Sequence, residues 1–194
     1  MKKEELENLI KIKGKVRGVV FQTDVKYVLS RWGKEGLKRL EKKMEEWKID
    51  LPFKGAEAME WYPIGKRVVS LLLIKETFGL ENKDIREMGS LAPKFSIVVK
   101  LLFKLFTPLK RFAKEIPRYW KEHYTVGELE VEKVSEKARE MLLNLKGIKL
   151  DPLFCLYLEG YFERVIKFIY PQTKVKETKC QFKGDKLHQY LFKW

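Results

Sequence analysis

The sequence contains few of the residues that build metal and disulfide sites. Its 194 residues include two cysteines, Cys155 and Cys180, and two histidines, His123 and His188. With so few ligands and no Cys-x-x-Cys spacing, a zinc ribbon and a disulfide scaffold are both disfavoured. We therefore expect no metal, and we interpret the two cysteines as small apolar side chains of the core.

Long apolar runs, linkers and enzyme motifs are also missing. No run approaches the roughly 18–20 apolar residues of a membrane helix, and the charged start of the chain is unlike a signal peptide. We expect a cytoplasmic protein. No Ser/Gly linker divides the chain, so residues 1–194 are predicted to form a single domain. We find no Walker loop, G-x-G-x-x-G, G-x-S-x-G or H-E-x-x-H motif, and therefore predict that the protein is not an enzyme.

Positive charge is abundant and clustered. The chain has 41 Lys and Arg against 27 Asp and Glu, a formal net charge of +14. The segment from Lys94 to Lys121 holds eight basic residues and a single acid, Glu115. Apolar residues recur through it at nearly helical spacing, which predicts a basic amphipathic helix pair. Its candidate interaction surface comprises Lys100, Lys104, Lys110, Arg111, Lys114 and Arg118.

Two interpretations of that basic surface remain open. It can bind an anionic membrane, nucleic acid or an acidic protein. It can equally be the solvated face of helices that pack on the core. Nucleic acid is the less favoured partner, because no recognition-helix motif or zinc module accompanies the charge.

The apolar periodicity predicts more helix than strand in the first two-thirds of the chain. Four predicted helices are Lys34–Trp47, Ile64–Phe78, Asn82–Met88 and Pro152–Ile169. Another is predicted to run from a cap at Thr23 or Asp24 to Trp32. The segment Phe95–Tyr124 is predicted to form two helices, which are separated at Thr107-Pro108. Predicted strands cover Lys13–Phe21, Gly127–Val134, Lys174–Lys183 and Leu187–Trp194. The segment Glu136–Lys146 fits either a helix or a strand.

The helix Pro152–Ile169 carries apolar side chains around most of its circumference, which predicts burial on nearly every side. Gly160 inside it costs up to about 1 kcal/mol relative to alanine. We therefore expect another element to approach its backbone closely. Packing against a helix or the sheet is favoured over a ligand wall.

The last two strands are predicted to form a hairpin around the three-residue loop Gly184–Lys186. This register places Cys180 and Phe182 on one face with His188, and leaves Gln189 outside. Cys155 could point at the same layer. A metal normally needs three or four ligands at close spacing, and this pattern alone does not indicate one.

Several segments resemble a known superfamily. They are Val16–Phe21 (VRGVVF), Trp61–Pro63 (WYP), Trp120–Gly127 (WKEHYTVG) and Glu159–Glu163 (EGYFE), which look like bacterial relatives of the haem-nitric-oxide-binding domains. The ending Cys180–Asp185 (CQFKGD) is similar to the last hairpin of 4-vinyl reductase-type domains, which are related to vesicle-tethering TRAPP subunits.

The resemblance implies an α+β fold whose helices and twisted antiparallel sheet enclose a hydrophobic pocket, closing with a long buried helix and a C-terminal β-hairpin. It favours a strand over Glu136–Lys146. The family's Tyr-x-Ser-x-Arg motif is replaced here by the differently spaced Tyr27-x-x-Ser30-Arg31. We therefore expect no cofactor, with haem ligation by His123 disfavoured against a plain surface position.

The functional prediction is a haem-free sensor domain that binds a small apolar or amphiphilic ligand. The resemblance also leaves two weaker alternatives, a haem-dependent gas sensor and a tetrapyrrole-related enzyme. We expect its pocket between the Phe95–Phe106 helix, the Pro152–Ile169 helix and the face of Cys180 and Phe182. A protein partner, an anionic membrane surface and a homodimer are the further partners considered. The candidate ligand-binding residues are Phe95, Val98, Leu102, Phe106, Tyr157, Tyr161, Arg164, Cys180 and Phe182.

Overall fold

The computed structural model describes residues 3–95 and 109–194. Its helices are α1 (Lys3–Ile10), α2 (Val19–Trp47), α3 (Ile64–Phe78), α4 (Asn82–Phe95), α5 (Leu109–His123) and α6 (Pro152–Ile166), with a single 3₁₀ turn at Gln181–Lys183. Its strands are β1 (Lys15–Arg17), β2 (Trp61–Pro63), β3 (Glu128–Ser135), β4 (Glu140–Lys146), β5 (Lys174–Lys179) and β6 (His188–Lys193). The predicted α+β class is confirmed, and the ambiguous segment forms a strand from Glu140 onward.

The larger sheet is antiparallel and has the strand order β3-β4-β6-β5. Alternate residues of its strands are buried on the face that α6 covers, among them Leu143, Tyr190 and Phe192. The ring of Phe162 on α6 meets that of Tyr190 edge-on, with centroids 5.0 Å apart. The buried apolar face of the sheet thus packs on a helix that is itself buried, as the pattern of Pro152–Ile169 predicts.

The predicted strand Lys13–Phe21 is wrong beyond its first residues. Only Lys15–Arg17 pairs, with β2, and α2 begins at Val19. Helix propensity at Val19 and Val20 is low, but burial of Phe21 against the ring of Tyr62, at a centroid distance of 5.5 Å, outweighs it. Neither proposed cap at Thr23 or Asp24 exists, because both residues lie inside the helix. The separation predicted between helices ending at Trp32 and starting at Lys34 is present as a kink at Gly33, whose φ is 60°.

Helices α4 and α6 cross at two glycines. A Cβ at Gly160 would lie 1.8 Å from the carbonyl oxygen of Arg86, and one at Gly89 would lie 1.9 Å from that of Tyr157. The expected close approach at Gly160 is confirmed, and the approaching element is a helix. Helix α4 also runs seven residues past the predicted end at Met88, to Phe95.

The register predicted for the final hairpin is wrong. Val175 pairs with Phe192 and Glu177 with Tyr190, and a bulge separates Glu177 from Lys179. Strand β5 ends at Lys179, and a wider turn containing the 3₁₀ residues replaces the three-residue loop. Gln189, expected outside, is buried because its amide nitrogen donates to Asn144 and Glu132, at 3.1 and 2.9 Å. This polar network covers the sheet face opposite α6.

Within the described ranges, no helix combines the length and apolar character that a bilayer crossing requires. Some predictions concern residues outside those ranges. They are the ligand-binding residues Val98, Leu102 and Phe106, the basic-surface residues Lys100 and Lys104, and the break at Thr107-Pro108. The predicted second helix of that pair is confirmed as α5.

Candidate functional site

A cavity lies between the first turns of α2, the inner face of α5, α6 and the buried face of the larger sheet. It encloses about 1140 Å³ of space between protein atoms, including the part open to solvent. Most lining side chains are apolar or aromatic: Val19, Val20, Thr23, Ala92, Phe112, Ile116, Tyr119, Trp120, His123, Tyr124, Leu129, Leu143, Tyr157, Leu158, Tyr161, Phe162, Val165 and Phe192.

His123 brings an imidazole to this cavity from the last turn of α5. Its Nδ1 lies 2.9 Å from the carbonyl oxygen of Tyr119, one helical turn earlier. Because a carbonyl oxygen only accepts hydrogen bonds, this contact places the proton of a neutral imidazole on Nδ1 and the lone pair on Nε2. This is the arrangement in which a histidine binds a metal through one nitrogen while a backbone carbonyl orients the other.

Three tyrosines form another part of the lining: Tyr157 is buried, and Tyr124 and Tyr161 are partly buried. Burial raises the pKa of Tyr124 to about 12, and it also raises the pKa of Tyr157 and of Tyr161. Their phenols are therefore neutral at physiological pH and remain able to donate a hydrogen bond. Tyr124 is held by stacking on Trp120 at 4.2 Å. The Trp120 indole N–H donates to the carbonyls of Val126 and Gly127, which fixes the end of α5 against the start of β3.

A buried ion pair stands behind the tyrosine wall. The guanidinium of Arg67 on α3 lies 4.3 Å from the Tyr157 ring centroid and donates to Asp24 on α2. The Ser70 hydroxyl donates to the same carboxylate oxygen at 2.5 Å. Burial raises the pKa of Asp24, although Arg67 and Ser70 oppose that rise. Nε and Nη2 of Arg67 and Oδ1 of Asp24 have no partner, so the pair is incompletely satisfied.

The basic residues of α5 lie on its other face. Lys110, Arg111 and Lys114 are exposed, whereas Phe112 and Ile116 are buried. Arg118 is also exposed, but it pairs with Glu115 at 2.8 Å and approaches Glu122 at 3.9 Å, so its charge is partly balanced. Recognition of an anionic partner by this surface stays a prediction.

The predicted ligand-binding residues divide into separate groups. Tyr157 and Tyr161 line the cavity, as does the inner face of the long helix that carries them. Arg164 instead donates from Nε to the carbonyl oxygen of Ser90 at 3.2 Å, which ties α6 to α4. Phe95 is half-buried at the end of α4.

Cys180 and Phe182 do not form the predicted pocket wall. Phe182 lies in the 3₁₀ turn with 37% of its surface exposed, beneath the ammonium of Lys149 at 5.1 Å. Cys180 is buried beside Cys155, Glu177 and His188. Neither residue is among those that line the cavity, because β5 ends at Lys179 and both residues lie in the turn that follows it.

The wall contributed by α2 was missed because Val19 and Val20 were assigned to a strand. Alternation of Val16, Gly18 and Val20 favours a strand over a short window, and only the tertiary packing of Phe21 corrects it. His123 was considered from sequence but treated as a surface residue. Its spacing from the buried Ile116 and Trp120 gives a helical-face signal that could have placed it on the inner side.

Searches of protein-family models and of curated proteins give no match. Solved structures do match. An H-NOX protein from S. oneidensis in its Fe(II)NO state superposes with a TM-score of 0.69 at 9% identity, covering 91% of this chain and 98% of the other. The Fe(II) unliganded H-NOX protein from K. algicida gives 0.64 at 12% identity, covering 91% and 95%.

A third matching structure was solved to study how haem redox potential is modulated through protein-induced porphyrin distortion. It superposes with a TM-score of 0.65 at 14% identity, covering 92% of this chain and 99% of the other. These neighbours contradict our prediction that the chain takes no cofactor, because they are haem and iron-containing proteins that share the arrangement over nearly their whole length. The expected resemblance is confirmed at the level of architecture. The chain has the fold of the H-NOX domains.

Proposed function

We propose that this protein is a haem-binding sensor domain whose cavity holds the haem and whose His123 is the protein ligand to the iron. One observation carries the proposal. An imidazole held by the Tyr119 carbonyl, with its Nε2 lone pair available, lines a cavity whose walls are mostly apolar and aromatic. A haem needs both an axial donor and apolar surroundings for its macrocycle.

The other residues that line the cavity also suit a haem. The aliphatic and aromatic side chains of α2, α5 and α6 match the faces of a porphyrin, and the neutral phenols of Tyr157 and Tyr161 supply hydrogen-bond donors. Arg118 stands over the Tyr119 ring at 5.1 Å and donates to its hydroxyl.

A bound haem would supply an iron that can take a diatomic gas. The chain's own residues hold His123 in one tautomer, line the space with apolar side chains of α2 and α6, and present neutral phenols. Helix α5 bears His123 on its inner face and Lys110, Arg111 and Lys114 on its outer face. A displacement of His123 would therefore move a charged surface that a protein partner can contact. The proposed role is sensing and not catalysis.

Haem reconstitution tests the proposal. The purified chain is titrated with haem, and the absorption spectra of the ferric and ferrous forms are compared between the wild type and His123→Ala. Lys114→Ala on the exposed face of α5 serves as the control. We expect one haem per chain, with histidine-type spectra for the wild type and the control and an altered spectrum with weaker binding for His123→Ala. Identical spectra and affinities for wild type and His123→Ala would exclude His123 as the ligand.

A further inference from the structure

Four potential metal ligands meet beneath the final hairpin, apart from the cavity. They are Cys155, Glu177, Cys180 and His188, and their ligand atoms all lie within 4.8 Å of one another. His188 Nδ1 is 3.5 Å from Cys155 Sγ and 2.9 Å from Glu177 Oε1. The side chains of Glu177 and His188 are only 13% and 4% exposed, and both cysteines are buried as free thiols.

This donor set matches zinc in number and kind. Structural zinc sites are four-coordinate and tetrahedral, with Zn–S bonds of about 2.3 Å and Zn–N or Zn–O bonds of about 2.0–2.2 Å. A tetrahedron of those bonds separates its ligand atoms by roughly 3.3–3.8 Å. The contacts of His188 already fall close to these values, so small side-chain movements complete the shell. Two thiolates favour zinc over magnesium or calcium, which prefer oxygen ligands.

Local structure brings the four residues together from separate elements. Cys155 lies in the first turns of α6, with its sulfur 3.9 Å from the carbonyl oxygen of Asp151. The β-bulge after Glu177 and the turn that starts at Cys180 set these two residues against the beginning of β6. The amide of Cys180 donates to the Asp185 carboxylate at 2.7 Å, which fixes the turn.

An unsatisfied polar group marks the same place. The hydroxyl of Tyr190 is fully buried and has no hydrogen-bond partner. Tyr190 pairs directly with Glu177 across the strands, so it stands beside the cluster. A buried hydroxyl without a partner costs roughly 1–3 kcal/mol. A neighbouring thiolate bound to a metal would give it an acceptor.

We propose that Cys155, Glu177, Cys180 and His188 bind one Zn²⁺ ion in a closed structural site. All four positions are protein ligands, so no site remains for substrate or water, and the ion ties α6 to the β5–β6 hairpin. The cysteine thiols lose their protons to solvent on binding, and the ion replaces the Glu177–His188 pair at the centre of the cluster. This inference replaces the expectation of no metal and does not depend on haem.

Cobalt is the probe that tests this site. The full-length, haem-free chain is reduced, stripped of metal with a chelator and titrated with Co²⁺, and the bound Co²⁺ is then displaced with Zn²⁺. We expect one Co²⁺ per chain, with the visible bands of tetrahedral cobalt and a thiolate-to-cobalt charge-transfer band. Cys180→Ser and Glu177→Gln should weaken binding at least as much as the 10–100-fold loss typical of outer-shell changes. Lys114→Ala, on the exposed face of α5, should bind as the wild type does.

Zinc binding by the wild type provides a second test that does not require any variant to fold. Zn²⁺ should raise the unfolding temperature of the stripped wild type, because it binds the folded chain preferentially. It should leave a folded Cys180→Ser variant nearly unchanged. Absence of a thiolate-to-cobalt band in the wild type, or cobalt binding that Cys180→Ser retains at full strength, would overturn the assignment.

Discussion

Gly160 of α6 presses against the backbone of Arg86 on α4, so closely that a Cβ at Gly160 would lie 1.8 Å from the Arg86 carbonyl oxygen. Gly89 makes the reciprocal approach to Tyr157. Since α6 supplies Tyr157 and Tyr161 to the cavity, this crossing sets the distance of one cavity wall from the helices behind it. The two glycines therefore position the site without touching a ligand.

Gly160→Ala should destabilise the protein, although glycine-to-alanine changes in a helix ordinarily stabilise by about 1 kcal/mol. The added methyl group must push α4 and α6 apart, and such overpacking costs typically about 1–3 kcal/mol. Urea unfolding measures the change. A neutral or stabilising result would show that the helices do not meet as described.

Removing one member of the Asp24–Arg67 pair should be costly. Asp24→Asn leaves the buried guanidinium without a counter-charge, and breaking a buried pair in this way costs about 3–5 kcal/mol. The double variant Asp24→Leu with Arg67→Met removes both charges and should recover much of that loss. Denaturant unfolding of the single and double variants provides the comparison. A double variant that is less stable than Asp24→Asn would refute this account of the pair.

Acid stability should depend on Glu163. Burial alone would raise its pKa, but Lys167, the Val175 amide and Arg86 lower it to about 2. Because the folded-state pKa lies below the ordinary value, the ionised group stabilises the fold above about pH 4.5, and this contribution is lost as the pH falls through about 2. The ionised Glu163 carboxylate contributes up to about 3 kcal/mol to the free energy of unfolding.

Glu163→Gln should therefore be less stable than the wild type at pH 6, and the difference should disappear near pH 2. Thermal unfolding across this range measures it, with the exposed Glu128→Gln as the control for loss of one charge. A constant difference between Glu163→Gln and the wild type at all pH values would show that packing, and not ionisation, is responsible.

Sequence patterns predicted the elements with long periodicity or clear end signals. Helix α6 begins after the Asp151 cap, whose carboxylate accepts from the Leu153 amide at 2.8 Å, and α3 ends at Gly79 in the left-handed region. Both signals are local. The start of α2 was not predictable in this way, since burial of Phe21 and the pairing of Asp24 with Arg67 arise only from tertiary contacts.

Prediction of the candidate sites from sequence was limited in the same way, because tertiary contacts place several of their residues. Tyr157 and Tyr161 were identified because they lie on one strongly apolar helix. The cluster of Cys155, Cys180 and His188 was noted from sequence, but Glu177 was not, because the bulge that turns it toward the cysteines has no evident sequence signal. His123 was not predicted to line the cavity, because its position depends on contacts of α5 with distant segments, such as the edge-on approach of the Tyr124 ring to Phe154 of α6 at 6.0 Å.

Chemical rescue of His123→Gly tests the central claim most directly. The variant is reconstituted with haem, and its ferrous absorption spectrum is recorded without and with free imidazole. If His123 holds the iron, glycine leaves room for imidazole, which should restore the wild-type spectrum. A variant whose spectrum already matches the wild type without imidazole, or a folded, haem-loaded variant that imidazole leaves unchanged, would contradict the assignment of His123 as the haem ligand.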